Sequence, residues 1–487
     1  MGKSAVIIGS GIAGLATAIR LANKGYQVKV LEANSYPGGK LGKMSCKGYR
    51  FDTGPSLFTL PQLVDELFIL SGRNPQSHFE YSRLAVNCHY FWEDGTRIKA
   101  YSDPGRFARE VHDKLGEPED NILTALRNSA FIYKRLSPLF MHRSLHQWQT
   151  WTNAHALKSY FQIGKLGIFD TMNGANKKRF GHPKLVQLFN RYATYNGSDP
   201  YQTPATLNII PHLEYNMGAY FPKKGMHDIT LSLFELAKSL GVSFNFGVKV
   251  DRVIVNNRKA TGVMAGLNSY EADIIVNNMD MVNAYKTILK DQKQPTTLLK
   301  QPKSSSALIF YWGISKKFAE LDLHNIFFSN DYEEEFRYIF HEGSVYSDPT
   351  IYVNITSVYK EDDAPPGCMN WFTMINVPNN TGQDWDLLIK EARKAIIAKI
   401  NRILETDIEQ FIETEDLLEP RTIESKTSSA MGALYGNSSN SRLAAFLRHA
   451  NYSFHIKNLY FCGGSVHPGG GIPLCLLSAK IVSEMAG

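Results

Sequence analysis

The order of apolar and polar positions marks out a βαβ unit at the start of the chain. Lys3–Ile8 reads as a buried strand, Ile12–Asn23 as a helix and Gln27–Leu31 as a second strand. A loop with Pro37-Gly38-Gly39-Lys40 follows, then a turn at Phe51-Asp52-Thr53-Gly54-Pro55-Ser56. From about Gln62 to Lys178 the pattern predicts mostly helix. Between Phe131 and Phe169 it mixes Phe131, Tyr133, Phe140, Trp148, Trp151, Tyr160 and Phe161 with Lys134, Arg135, Arg143, Lys158 and Lys165. That mixture suits a helical subdomain with its own core, the wall of a tunnel for an apolar ligand, or amphipathic helices lying on a bilayer.

Further along, Gly225–Leu240 predicts a helix leading into a strand at Val242–Phe246. Lys249–Val255 and Ala260–Ala265 predict a hairpin turned at Asn256-Asn257-Arg258-Lys259. Ala272–Asn277, Ala307–Ile314, Thr350–Thr356 and Leu459–Cys462 predict strands, and Pro473–Met485 a last helix. The expected fold is α/β: a discontinuous Rossmann-like dinucleotide domain, a mixed-sheet substrate domain and a helical lid. The expected boundaries are 1–70, 221–290 and 415–487 for the first, 71–110 and 291–414 for the second, and 111–220 for the third.

Two glycine clusters carry the chemistry. In Gly9-x-Gly11-x-x-Gly14, the first glycine permits a tight turn, the second lets backbone approach a pyrophosphate, and the third lets helix and strand pack closely. Glu32 stands 18 residues after Gly14, at the end of the next strand. A carboxylate there accepts from a ribose hydroxyl and repels a 2′-phosphate, which favours FAD or NAD over NADP. Gly38-Gly39-Lys40 adds a second anion-binding element and tilts the choice towards FAD. The other cluster, Gly463-Gly464-Ser465-Val466-His467-Pro468-Gly469-Gly470-Gly471-Ile472-Pro473, lets backbone pass against a flat ring. It also aims a helix N-terminus at that ring. His467 is open to reading as an acid/base or as a packing residue. Asp170 and Arg143 suit the surface better than proton transfer.

The totals change the picture little. The chain of 487 residues, 43% hydrophobic, is long enough for two or three domains and a sizeable core. A net charge of +7 without a basic block argues against nucleic acid and fits weak attraction to an anionic membrane surface. Cys46, Cys88, Cys368, Cys462 and Cys475 are odd in number and lack CxxC spacing, which predicts reduced thiols, a cytoplasmic setting and no metal site. No stretch reaches the roughly 18 apolar residues of a membrane span, so any membrane association is expected to be peripheral.

The motifs together resemble the carotenoid (phytoene) desaturase branch of the FAD-dependent amine oxidase superfamily. The residues that carry the resemblance are Gly9–Gly14 with Glu32, Pro37–Lys40, Phe51–Ser56, Phe221–Met226, Ala272–Asp280, and His467–Pro473 with Ser478-Ala479-Lys480. Lys223-Lys224 departs from the branch's usual pattern at that turn. The resemblance implies FAD as cofactor, held by Glu32 at the ribose, by Lys40, Pro55 and Ser56 along its length, and by the backbone of Val250 at the adenine. It further implies roles for Asn278, for Gly464, Gly471 and Ile472 beside the pyrophosphate and ring, and for Leu443. Within the branch the pattern is most similar to bacterial 1-hydroxycarotenoid 3,4-desaturases, implying a long apolar carotenoid substrate and hydride transfer to flavin. Phytoene-type desaturases, carotenoid isomerases and non-enzymatic prenyl-binding escort proteins remain open alternatives at this point.

Overall fold

Five strands drawn from three distant parts of the chain form one parallel sheet. In the computed structural model, which describes residues 2–152, 162, 164, 166–441, 444 and 447–486, they are β1 (Ser4–Ile8), β2 (Gln27–Glu32), β3 (Ser243–Phe246), β4 (Ile274–Asn277) and β5 (Leu459–Phe461). Their order across the sheet is β3-β2-β1-β4-β5, and every neighbouring pair is parallel. Helix α1 (Ile12–Asn23) follows β1, and helix α2 (Ile472–Met485) closes the chain beside it. Leu15, Ala16, Ile19, Leu476, Ala479 and Val482 join their faces in one apolar core. Alanine and glycine dominate the first turns of α1, which is what lets a helix lie this close to a sheet.

A second, seven-stranded sheet lies beyond it. Its order is Ile412–Leu418, Ser306–Ile314, Met369–Val377, Ile351–Asn354, His324–Phe327, Val86–Phe91 and Arg97–Tyr101, and its pairs are antiparallel except for Val86–Phe91 with His324–Phe327. The two faces of this sheet do different work, because successive residues of a strand point to opposite sides. Leu308, Phe310, Trp312, Val353, Trp371 and Ile375 pack on the 20-residue helix Trp385–Leu404. Ala307, Ile309, Tyr311 and Phe372 gather on the opposite face.

The stretch 62–178 is less helical than its pattern predicts. Tyr81–Arg83, Val86–Phe91 and Arg97–Tyr101 are strands. Val86–Phe91 (Val-Asn-Cys-His-Tyr-Phe) is buried along nearly its whole length and so shows no alternation. The turn after it is set by Gly95 at φ 84° and by Asp94, which accepts from the Thr96 amide at 3.1 Å. Helices do follow, at Pro104–Leu115, Glu119–Leu136, Met172–Arg179 and Pro183–Asn190. They share a core built on Phe107, Ile122, Leu126 and Phe189. The predicted hairpin forms between Arg252–Asn256 and Lys259–Ala265, with Asn257 and Arg258 at positive φ in the turn. A third strand, Asn268–Glu271, extends it.

Candidate active site

In a sheet of this order the direction of winding reverses between β1 and β4, and a crevice opens at the carboxyl ends of the strands there. A cavity of about 1190 Å³ occupies that place. The turn after β1, Glu32 at the end of β2, Asn278 after β4 and Gly463-Gly464 after β5 all line it.

The sequence-predicted site residues other than Leu443 all fall among the described residues. Gly14 is where helix and strand touch: a Cβ there would lie 2.2 Å from the Gly9 carbonyl oxygen and 2.8 Å from Asn278 Nδ2. Asn278 clamps the same turn, its amide donating to the Gly9 carbonyl at 3.2 Å. Gly11 is the N-cap of α1 and brings no side-chain cap, and the first turn carries no acid. The N–H groups of that turn therefore present their positive end to the cavity. The arrangement recurs at α2, whose N-cap Gly471 (φ 100°) also brings no side chain. Gly464, Gly471 and Ile472 all line the cavity.

Glu32 is buried, and both its oxygens are engaged. One accepts from the Ser10 amide (2.7 Å) and hydroxyl (2.8 Å), the other from the Asn34 amide (2.9 Å) and Nδ2 (3.1 Å). A ribose hydroxyl that reaches this carboxylate has to replace Ser10 Oγ or Asn34 Nδ2, both of which can rotate away. Val250 lines the cavity, and among the described residues neither its N–H nor its C=O has a partner, so both are free for an adenine edge. Pro55 and Ser56 line it too, Ser56 Oγ lying 2.7 Å from the Tyr352 hydroxyl.

Lys40 lines the cavity and also holds its wall together. Its ammonium donates to the carbonyls of Ala433 (3.2 Å) and Leu434 (2.7 Å), tying the C-terminal segment to the cavity wall. Burial lowers its pKa against the opposing pull of Asp280. Leu443 lies outside the described residues, as do Lys158, Tyr160, Phe161 and Lys165.

His467 is fully buried with Nε2 2.8 Å from the Arg143 carbonyl and its ring edge-on to Phe140. Burial pushes its pKa down to about 3, so it is a neutral packing residue. Asp170 is exposed and pairs with Lys178, and Arg143 is exposed as well. Cys462 is a buried thiol pushed up to about 12, an inert member of the core.

Sequence reasoning missed the far half of the cavity. Its wall is the free face of the antiparallel sheet, with Ile309, Tyr311, Ile326, Tyr352, Phe372 and Met374. Among the described residues of the aromatic stretch, Phe131, Tyr133, Phe140, Trp148 and Trp151 do not line it. Tyr133 and Phe140 pack instead against the core of the parallel sheet. The chamber residues alternate along their strands, but their neighbours are equally apolar, so the pattern carries no mark of which face is open.

A dinucleotide cradle opening onto an apolar chamber defines a flavin-dependent oxidoreductase. A glycine turn with no room for a methyl, two uncapped helix N-termini and an unpartnered Val250 backbone all fit FAD. Comparison with known proteins agrees. The profile of the flavin containing amine oxidoreductase family matches residues 12–485, and the chain belongs to that family, on its carotenoid desaturase branch. FAD is its cofactor. The chain is similar to a 1-hydroxycarotenoid 3,4-desaturase of Flavobacterium sp. (strain P99-3), 52% identical over 99% of both chains. It is also similar to a 4,4′-diapolycopene oxygenase of Methylomonas sp, 31% identical over 98% of this chain and 97% of the relative. A solved putrescine oxidase variant shares the fold, with a TM-score of 0.66 at 12% identity over 99% of this chain and 97% of its own.

Proposed function

We propose that this protein is an FAD-dependent carotenoid desaturase that introduces the C-3,4 double bond into a 1-hydroxylated carotenoid. The observation that carries the reading is the near full-length 52% identity to an enzyme of that name. The joining of the cofactor cradle and the apolar chamber in one cavity supports it.

Desaturation removes a hydride and a proton from neighbouring carbons; when bound, FAD would supply the acceptor for the hydride, and the proton is released to solvent. The backbone of Gly9–Ala13, Glu32 and Val250 would hold its nucleotide part, and Gly471 and Ile472 would border its ring. The carbons to be desaturated carry no acidic group, so the chamber contributes position and dryness. Ile309, Ile326, Phe372 and Met374 exclude water and confine a long hydrocarbon. We assign residues 1–70, 221–290 and 415–487 to the part that holds FAD, 71–110 and 291–414 to the chamber, and 111–220 to the lid.

We infer further that the enzyme works at a membrane surface, where such a substrate dissolves. No helix among the described residues is long and apolar enough to cross a membrane. Trp148 and Phe454 stand 71% and 63% exposed, and His146, two residues from Trp148, lies against Phe454.

The test supplies 1-hydroxylated and non-hydroxylated carotenes in anionic lipid vesicles and follows the polyene spectrum of each. A red shift with the hydroxylated substrate, from protein that sediments with the vesicles, is the expected result. Equal action on phytoene, or purified protein without flavin absorbance after added FAD, overturns the reading.

A further inference from the structure

The chamber has one polar end. Asn87, Arg191 and His324 meet the cavity there, and they are only 2%, 6% and 4% exposed. Each has one buried atom without a hydrogen-bond partner among the described residues: Asn87 Oδ1, Arg191 Nε and His324 Nε2. A buried, unmet polar atom is costly, and three on residues that line one chamber mark the place of a polar ligand group.

Their hydrogen-bonding character is fixed by their other contacts. Asn354 Nδ2 donates to the Leu323 carbonyl (2.9 Å) and, with its other hydrogen, to His324 Nδ1 (3.2 Å). Asn354 thus makes His324 Nδ1 an acceptor, with the Tyr352 hydroxyl 2.7 Å away as its second donor, and the ring proton sits on Nε2, a donor without a partner among the described residues. Burial pushes this histidine down to about 3, so the neutral tautomer persists across the physiological range. Arg191 donates through Nη1 to Tyr195 (3.1 Å) and through Nη2 to Tyr90 (2.7 Å), and Glu214 at 3.6 Å balances its charge, which leaves Nε–H as a second free donor. Asn87 Nδ2 donates to the Glu214 carbonyl at 3.3 Å, which leaves its oxygen as a free acceptor among the described residues.

Two donors and one acceptor complement a hydroxyl group, which accepts and donates at once. We propose that Asn87, Arg191 and His324 form the subsite that binds the hydroxyl on carbon 1 of the carotenoid. The hydroxyl oxygen accepts from His324 Nε2–H and Arg191 Nε–H, and its proton is donated to Asn87 Oδ1. The position suits the reaction. Carbon 1 is two bonds from carbon 3, so its hydroxyl must be gripped close to the flavin. His324 Nδ1 lies 2.7 Å from the Tyr352 hydroxyl, which lies 2.7 Å from Ser56 Oγ on the turn assigned to the cofactor. One side chain thus separates the polar end from that turn. The Tyr311 hydroxyl is also buried and unmet in the chamber, but it is a single group without a complementary neighbour of this kind.

The inference rests on the desaturase reading and deepens it to the residues that select the end group. The test compares kcat/KM for a 1-hydroxylated carotene and its non-hydroxylated counterpart in the flavin-loaded enzyme. In His324→Leu the value for the hydroxylated substrate falls at least tenfold while the other holds or rises, so the preference collapses. His324→Gln, which keeps an N–H near the Nε2 position, retains most of the preference. Asn87→Leu, read on the same ratio, decides the matter if His324→Leu fails to retain flavin. A ratio unchanged from the parent in flavin-loaded His324→Leu and Asn87→Leu overturns the subsite alone. A parent enzyme that does not act on the hydroxylated carotene overturns the functional reading itself, and the subsite with it.

Discussion

Gly14 has no room for a methyl group, and this single position shows how tightly the cofactor turn is built. The atoms that a Cβ would strike are the Gly9 carbonyl and the Asn278 amide, one backbone and one held in place by its own hydrogen bond. Gly14→Ala therefore has to push α1 off β1, at an overpacking cost of about 1–3 kcal/mol, and to displace the N–H groups that face the cavity. The expected outcome is a loss of FAD affinity of more than tenfold, read by flavin titration and by flavin retained through gel filtration. Full retention would show that the close approach is dispensable. The importance of this glycine and of Glu32 was legible in the spacing, because a βαβ unit places both by local rules. The clamp from Asn278 and the tether from Lys40 were legible only as candidate positions. Their partners, Gly9 and the 433–434 carbonyls, lie 269 and more than 390 residues away along the chain. Asn87, Arg191 and His324 carried no signal at all: each looks like an ordinary polar residue until the strands bring them together.

Elements meet at Asp52, where a strand end becomes the cap of a helix. Its carboxylate accepts from the amides of Met226 and His227, both at 2.9 Å, at the entrance to the helix Asp228–Ser239, and from Arg50 at 2.7 Å. Arg50 in turn reaches Asp363 at 3.1 Å. Two turns that the sequence singled out separately, Phe51–Ser56 and Phe221–Met226, are thus one junction. Asp52→Asn turns an NH₂ group against an amide donor and leaves a buried N–H unmet. The expected cost is about 2–3 kcal/mol, seen as a lower midpoint in denaturant unfolding at unchanged slope, and an unchanged midpoint would mean the junction bears little of the fold's stability. Most elements of the parallel sheet were readable to within a residue or two because their helices and strands alternate. The antiparallel sheet was harder. Ser306–Ile314 is buried at all nine positions, so its periodicity cannot say which side packs on Trp385–Leu404 and which side faces the chamber.

Across the whole molecule, burial of histidine sets how the fold responds to acid. His324 and His467 are pushed down to about 3 and His449 to about 4, in each case by burial. A group depressed in this way takes its proton in the unfolded chain first. The stability it lends is complete above its unfolded value of about 6.5 and is lost as the pH falls towards its folded value. Glu335 works in the opposite sense. Burial raises it to about 7, so between about 4.5 and 7 it holds a proton in the folded state that the unfolded chain has released. Between pH 6 and 5 these four groups give the unfolded chain three extra protons and the folded chain one. The net of two corresponds to a loss of roughly 3 kcal/mol per pH unit. His89, His142, His146, His212 and His227 are lowered as well and steepen the fall. Urea unfolding of the enzyme in saturating FAD should show the midpoint dropping steadily from pH 6.5 to 5. His449 offers the internal check: its ring stands among Tyr285 and Phe461, with Nε2 3.1 Å from the Tyr285 hydroxyl and Nδ1 2.6 Å from the Ala450 carbonyl. His449→Phe should make the pH dependence shallower by about one proton. A midpoint that stays level over this range, or a slope that the variant leaves unchanged, would mean that these histidines reach water before the fold opens.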